Sequence, residues 1–182
     1  MVSGSPSSEY FEIFGIEKKL ALDVEDLQRR FYARSREWHP DLHARAGAEQ
    51  LAKAEQASAT LNDAWRTLRD PVARAEYVLR AEGFDIGEQR GRDVPPELLE
   101  EVFELNMALE EAREGDAGAK AEVGRALTHF EELLAGIDRN RDEIFLSYDA
   151  APGGETLLEL RSLLNRRKYL ENLVRDARAA LV

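Results

Sequence analysis

The tripeptide His39-Pro40-Asp41 is the part of this sequence whose residue types suggest chemistry. A histidine two residues from a carboxylate could act as a catalytic pair, and His43, four residues after His39, suggests a metal site. Pro40 interrupts the continuous helix that the metal site needs, and no nucleophile near Asp41 completes a catalytic set. A third interpretation is a helix-terminating turn, in which proline and aspartate are common.

The residues before the tripeptide predict an amphipathic helix. Asp23 is its expected N-cap, with Asp26 at the third helical position as a variant of the capping box. The helix ends near Trp38 or His39, because Pro40 disfavours helical geometry in the residue before it. Its apolar face is formed by Leu27, Phe31 and Trp38. A shorter helix, from Glu9 to about Phe14, precedes it.

A second long helix is expected from about Gly47, after a loop over Leu42–Ala46. Its apolar residues recur three and four apart, the spacing of a helix that packs in an antiparallel hairpin. They are Leu51, Ala54, Ser58, Leu61, Trp65 and Leu68. Asp70 ends this helix and caps the next one, with Pro71 in the first helical position.

The C-terminal half predicts three further helices after a junction over residues 83–96. Each has a heptad-like apolar seam, and an arginine occupies the seam once in each of the last two helices, at Arg141 and Arg167. Three such helices joined by short turns form an antiparallel three-helix bundle. Strand signals are weak throughout, so the predicted fold class is all-α.

The composition excludes several function classes. The 182 residues include 36 Asp and Glu against 25 Lys and Arg, a net charge of −11 that argues against nucleic-acid binding. Residues 97–143 alone contribute −9 of that charge. The chain has no cysteine, which excludes disulfides, thiolate metal sites and cysteine nucleophiles. Without a membrane-span pattern or a secretory signal, a cytoplasmic location is expected, with no membrane partner.

The order of these features resembles a J domain. Tyr10-Phe11 lies in a short helix, a basic helix with Arg29, Arg30 and Arg36 follows, and His39-Pro40-Asp41 joins it to a second long helix. The J-domain family stimulates ATP hydrolysis by DnaK-type chaperones. Pro40 would rigidify the turn that presents His39 and Asp41, and Asp41 could accept a charge-assisted bond from an arginine of that chaperone. Arg34 stands where family members commonly have an apolar residue.

The resemblance extends to the HscB (Hsc20) family. It is carried by residues 10–15, 59–71 and 74–77 and by Gly83-Phe84-Asp85. The resemblance implies a flexible tail over residues 1–8, a J domain over 9–82, a linker over 83–94 and a three-helix bundle over 95–182. In that family the bundle binds an IscU-type iron–sulfur scaffold and the J domain delivers the scaffold to an HscA-type chaperone, so the resemblance implies the same roles here. The alternative is a J-domain co-chaperone whose client is not an iron–sulfur scaffold.

The first bundle helix has two apolar stripes. Leu98, Val102, Leu105 and Leu109 fall within about 60° and form the core seam. A second stripe, formed by Leu99, Phe103 and Met107, lies roughly 130° away. This stripe either packs on the third bundle helix or forms an exposed strip for a partner. The resemblance favours scaffold binding by Leu99, Phe103, Glu104, Met107, Glu111 and Tyr169. The chaperone-binding residues that it implies are His39, Pro40, Asp41, Arg29, Arg30 and Arg36.

The sequence offers no credible active site. We therefore expect a co-chaperone that stimulates the ATPase of its partner without being an enzyme itself, and we expect no resident cofactor or metal. Because the cluster belongs to the scaffold, the absence of cysteine does not argue against this function.

Overall fold

The computed structural model describes residues 8–43, 45, 47–84, 86 and 96–181, and each regular element within them is an α-helix. The helices are α1 (Glu9–Phe14), α2 (Val24–Glu37), α3 (Pro40–His43), α4 (Ala48–Arg69), α5 (Pro71–Ala81), α6 (Pro96–Arg113), α7 (Ala117–Ala150) and α8 (Gly154–Ala180). The all-α prediction is confirmed. The predicted tail lies outside the described residues except for Ser8, as does most of the predicted linker.

Two compact units divide the described chain. One contains the residues up to Phe84 together with Tyr148–Pro152, and the other contains residues 86–147 and those from Gly153 onward. In the first unit α4 is the central element, since α1, α2, α3 and α5 all pack against it. The core of this unit is made by Phe11, Phe14, Leu20, Leu27, Leu61, Leu68, Val78 and Leu79.

Side-chain caps begin two helices of the first unit, as the sequence predicts. The Asp23 carboxylate accepts the backbone N–H groups of Glu25 at 2.9 Å and Asp26 at 3.1 Å. The Asp70 carboxylate accepts the N–H of Ala73 at 2.7 Å, with Pro71 in the first helical position. These bonds satisfy N–H groups that a helix start leaves without intrahelical partners.

The segment after His39 differs from the predicted loop. Pro40–His43 forms the single helical turn α3, so the expectation of a loop at Leu42 and His43 is wrong. The fixed φ of proline suits the first position of a helix, and the N–H of Leu42 donates to the carbonyl of His39 at 3.0 Å. Proline here ends one helix and begins the next.

The second unit consists of α6, α8 and α7 as far as Ser147. Its core follows the predicted seams and contains Leu98, Leu105, Leu109, Val123, Phe130, Ile137, Ile144, Leu160, Leu163, Leu170, Val174 and Ala177. The heptad-like spacing therefore predicts which face of each helix is buried.

The two seam arginines meet at one carboxylate. Arg141 is buried and donates to Asp138 at 2.6 Å and to Asp142 at 2.8 Å. Arg167 of α8 donates to the same Asp138 oxygen at 2.9 Å and pairs with Glu171. Partial burial disfavours the charge of Arg167, but its bonds to Asp138 and Glu171 raise its pKa above the usual value. The seam accommodates both arginines because neighbouring carboxylates neutralise the charge of each one.

Candidate partner-binding sites

The His39-Pro40-Asp41 turn presents two polar side chains to solvent. The His39 side chain is 55% exposed and the Asp41 carboxylate 89% exposed. The N–H of Asp41 donates to Nδ1 of His39 at 3.3 Å. A neutral imidazole that accepts at Nδ1 carries its proton on Nε2, so Nε2 is available as a donor to a partner. The turn thus offers one N–H donor and one carboxylate acceptor on a backbone that Pro40 restrains.

The same geometry weakens the metal interpretation. One ring nitrogen of His39 is occupied by the N–H of Asp41, and Nε2 of His43 lies 3.0 Å from the carbonyl oxygen of Glu37. The described residues contain no group of three or more His, Asp or Glu side chains placed to hold a metal ion. The turn is therefore better suited to protein recognition than to metal binding.

Two of the predicted chaperone-binding arginines share one internal partner. The Asp26 carboxylate accepts a hydrogen bond from Arg29 at 3.1 Å and another from Arg30 at 2.6 Å. The bond from Arg30 is the largest cause of the lowered pKa of Asp26, and the bond from Arg29 lowers it further. Arg30 also reaches the carbonyl oxygens of Phe14 and Gly15, both at 3.5 Å. Arg29 and Arg30 thus lie on an exposed face of α2 with their charge partly balanced by Asp26.

The third predicted arginine, Arg36, is exposed one turn before His39 and has no described ion-pair partner. Arg34, which departs from the family pattern, is half-buried. Its guanidinium carbon lies 5.3 Å from the centroid of the Trp38 ring, and Nη1 lies 3.4 Å from Glu37. A stacked cation thus takes the place of apolar packing at the end of α2.

The second apolar stripe of α6 is exposed. Leu99 is 51%, Phe103 65% and Met107 50% exposed, whereas Leu98, Leu105 and Leu109 on the opposite face are buried. The alternative in which this stripe packs on the third bundle helix is therefore wrong. We call Leu99, Phe103 and Met107 the apolar strip. Glu104 and Glu111 are exposed beside it.

A groove between α6 and α7 borders the apolar strip. It has a volume of about 680 Å³, and Glu104, Met107 and Glu111 of α6 line it. The structure therefore brings three of the predicted scaffold-binding residues together. Tyr169 lies on α8, is half-buried, and does not line this groove.

Comparisons with known proteins match both halves of the chain. The DnaJ domain family model matches residues 9–77, which include α1 to α4 and the His39-Pro40-Asp41 turn. The chaperone HscB from Vibrio cholerae is similar over 93% of this chain and 95% of its own, with 26% identity and a TM-score of 0.66. Residues 9–77 therefore form a DnaJ domain, and the chain as a whole is similar to the chaperone HscB. The human co-chaperone protein HscB has a similar fold, with 22% identity, coverage of 93% and 80%, and a TM-score of 0.65.

The DnaJ domain specifies one class of partner. A J domain indicates an Hsp70-type chaperone, and the exposed His39 and Asp41 lie within the matched residues. No helix among the described residues combines the length and apolarity that a bilayer crossing needs.

Sequence reasoning missed two contacts near these candidate sites. The pairing of Asp26 with Arg30 follows from their i, i+4 spacing and could have been predicted. His129 of α7 and Glu101 of α6 also form a pair, with 3.0 Å between Nε2 and Oε2. No sequence spacing predicts this pair, because its two residues lie on different helices.

Proposed function

We propose that this protein is an HscB-type co-chaperone, which recruits an IscU-type iron–sulfur scaffold through its C-terminal unit and presents it to a DnaK- or HscA-type chaperone. Its J domain would stimulate the ATPase of that chaperone, and the cycle would promote cluster assembly and transfer. The DnaJ domain and the similarity of the whole chain to the chaperone HscB support the pairing of these two activities in one chain.

The chaperone-facing part of the proposal rests on the His39-Pro40-Asp41 turn. Asp41 could accept a bidentate bond from a partner arginine, and Nε2 of His39 could donate to a partner acceptor. Arg29, Arg30 and Arg36 are exposed along α2 and would steer encounter with an acidic surface. Stimulation requires that the turn bind the hydrolysis-competent chaperone conformation more tightly than the others.

The exposed apolar strip is the observation that carries the scaffold-facing part. Three large apolar side chains on one face of α6 are costly to leave in water unless a partner covers them. Carboxylates along one edge would select a partner with an apolar patch and a basic rim. Tyr169, half-buried on α8, is proposed as a further aromatic contact with the scaffold.

The experiment is calorimetry of the full chain with a purified IscU-type scaffold. Phe103→Ala should weaken binding by about 1–3 kcal/mol, the range for a buried interface anchor. Leu146→Ala is the matched control, because Leu146 is 63% exposed on α7 and lies outside the strip and groove. Normal affinity in a folded Phe103→Ala protein would reject the strip as the docking site. No binding by the unaltered chain would reject the scaffold as client.

A further inference from the structure

The groove between α6 and α7 combines an apolar floor with acidic walls. Leu105 and Ala108 of α6 and Phe130 of α7 line it and are almost completely buried. Four glutamates line it as well, and they come from both helices: Glu101, Glu104, Glu111 and Glu122. Such a groove suits a side chain that is apolar along its stem and cationic at its end.

The acidic charge of the groove is only partly balanced within the protein. Arg125 lies 3.8 Å from Glu122, and His129 lies 3.0 Å from Glu101. Glu104 and Glu111 have no ion-pair partner among the described residues. All six of these side chains are at least partly exposed. With one arginine and one histidine facing four carboxylates, the groove has a net negative charge.

We propose that this groove is a second part of the scaffold-docking surface and receives lysine or arginine side chains of the scaffold. The aliphatic stem would lie on Leu105 and Ala108, and the cationic end would pair with Glu101 and Glu122. This assigns α7 a direct role in docking. The inference rests on the proposed function, because it takes the scaffold as the occupant.

Two observations favour a basic segment of that partner over other occupants. Met107 belongs to the apolar strip and also lines the groove, so one docked segment could cover both. A second copy of this chain would bring another net charge of −11 to an acidic surface, which like-charge repulsion disfavours.

The test is a titration of the full chain with a purified IscU-type scaffold at 50 and 500 mM NaCl. The double variant Glu101→Gln, Glu122→Gln should raise Kd by about fivefold or more at low salt and by less than about twofold at high salt, because salt screens these pairs. Glu143→Gln is the control. It removes one carboxylate charge, half the change in the double variant, at a position on α7 that is 21 residues beyond Glu122 and about 31 Å along the helix.

The outcomes separate this inference from the proposed function. A double variant that is folded by circular dichroism and binds with unchanged Kd, while Phe103→Ala binds weakly, would overturn the role of the groove and leave the scaffold as client. An equal loss at both salt concentrations would also overturn it, since the effect would not be electrostatic. If the unaltered chain does not bind the scaffold, both proposals fail.

Discussion

One carboxylate, Asp26, holds two arginines of the proposed chaperone-binding face of α2. Arg29 and Arg30 both donate to it, so an acidic partner must compete with Asp26 for their charge. This arrangement balances part of the cationic charge on the helix face. It also makes the pKa of Asp26 a direct report of the pairing.

Removal of Arg30 should raise the pKa of Asp26, because the hydrogen bond from Arg30 is the main reason that it is lowered. The stabilisation from this pair is present at neutral pH and is lost as the pH falls through the lowered pKa, below about 4. The measurement is an NMR titration of Arg30→Ala, with Arg36→Ala as the control that leaves Asp26 unchanged. An Asp26 pKa that does not move in Arg30→Ala would contradict the assignment.

At the scale of elements, capping and periodicity predicted most of the helices. The spacing in α4 identified Ala54, Leu61 and Leu68 as buried, and all three are. The helical turn α3 was missed, because a four-residue turn has too few residues to show a period. The exposure of the apolar strip remained open until the structure was known, since periodicity defines a face without saying what covers it.

The cap of α2 should stabilise the first unit measurably. Asp23→Ala removes the acceptor for two N–H groups and should cost about 1 kcal/mol of unfolding free energy. Urea denaturation followed by tryptophan fluorescence measures this, because Trp38 and Trp65 both lie in the first unit. Glu55→Ala, at an exposed position on α4, is the control, with a change within about 0.5 kcal/mol. Equal stability of the Asp23 variant would contradict the capping role.

At the scale of the whole molecule, the first unit is completed by residues distant in sequence. The Asp149 carboxylate accepts the N–H of Leu20 at 2.7 Å and the N–H of Ala21 at 2.8 Å. Leu20 is fully buried, so its N–H group needs a partner within the protein. More than 120 residues separate the bonded groups, and no local sequence signal could have predicted this pairing.

Loss of this carboxylate should destabilise the first unit. Asp149→Ala removes both acceptor oxygens, so the N–H group of the buried Leu20 loses its partner, at a cost of about 1–3 kcal/mol. The shift of the urea transition, again by tryptophan fluorescence, measures this, with Glu143→Gln as a control on the same helix. An unshifted transition would contradict this prediction, because it would show that the Asp149 carboxylate does not stabilise the first unit.

The net charge of −11 is also a property of the whole molecule, and its distribution matters more than its size. Residues 97–143 contribute most of it, and in the structure Glu101, Glu104, Glu111 and Glu122 from this segment line a single groove. The sequence predicted an acidic surface on α6. It could not predict that α7 adds to the same groove, because that depends on how the two helices pack.

Stimulation of a DnaK- or HscA-type ATPase by this protein is proposed to depend on the His39 turn. Its most direct test is single-turnover ATP hydrolysis by the purified chaperone with the unaltered chain, His39→Gln and the control His43→Gln. We predict acceleration by the unaltered chain and by His43→Gln, and none by His39→Gln, although that variant still binds the scaffold. Equal acceleration by His39→Gln, or no acceleration by the unaltered chain, would contradict the claim.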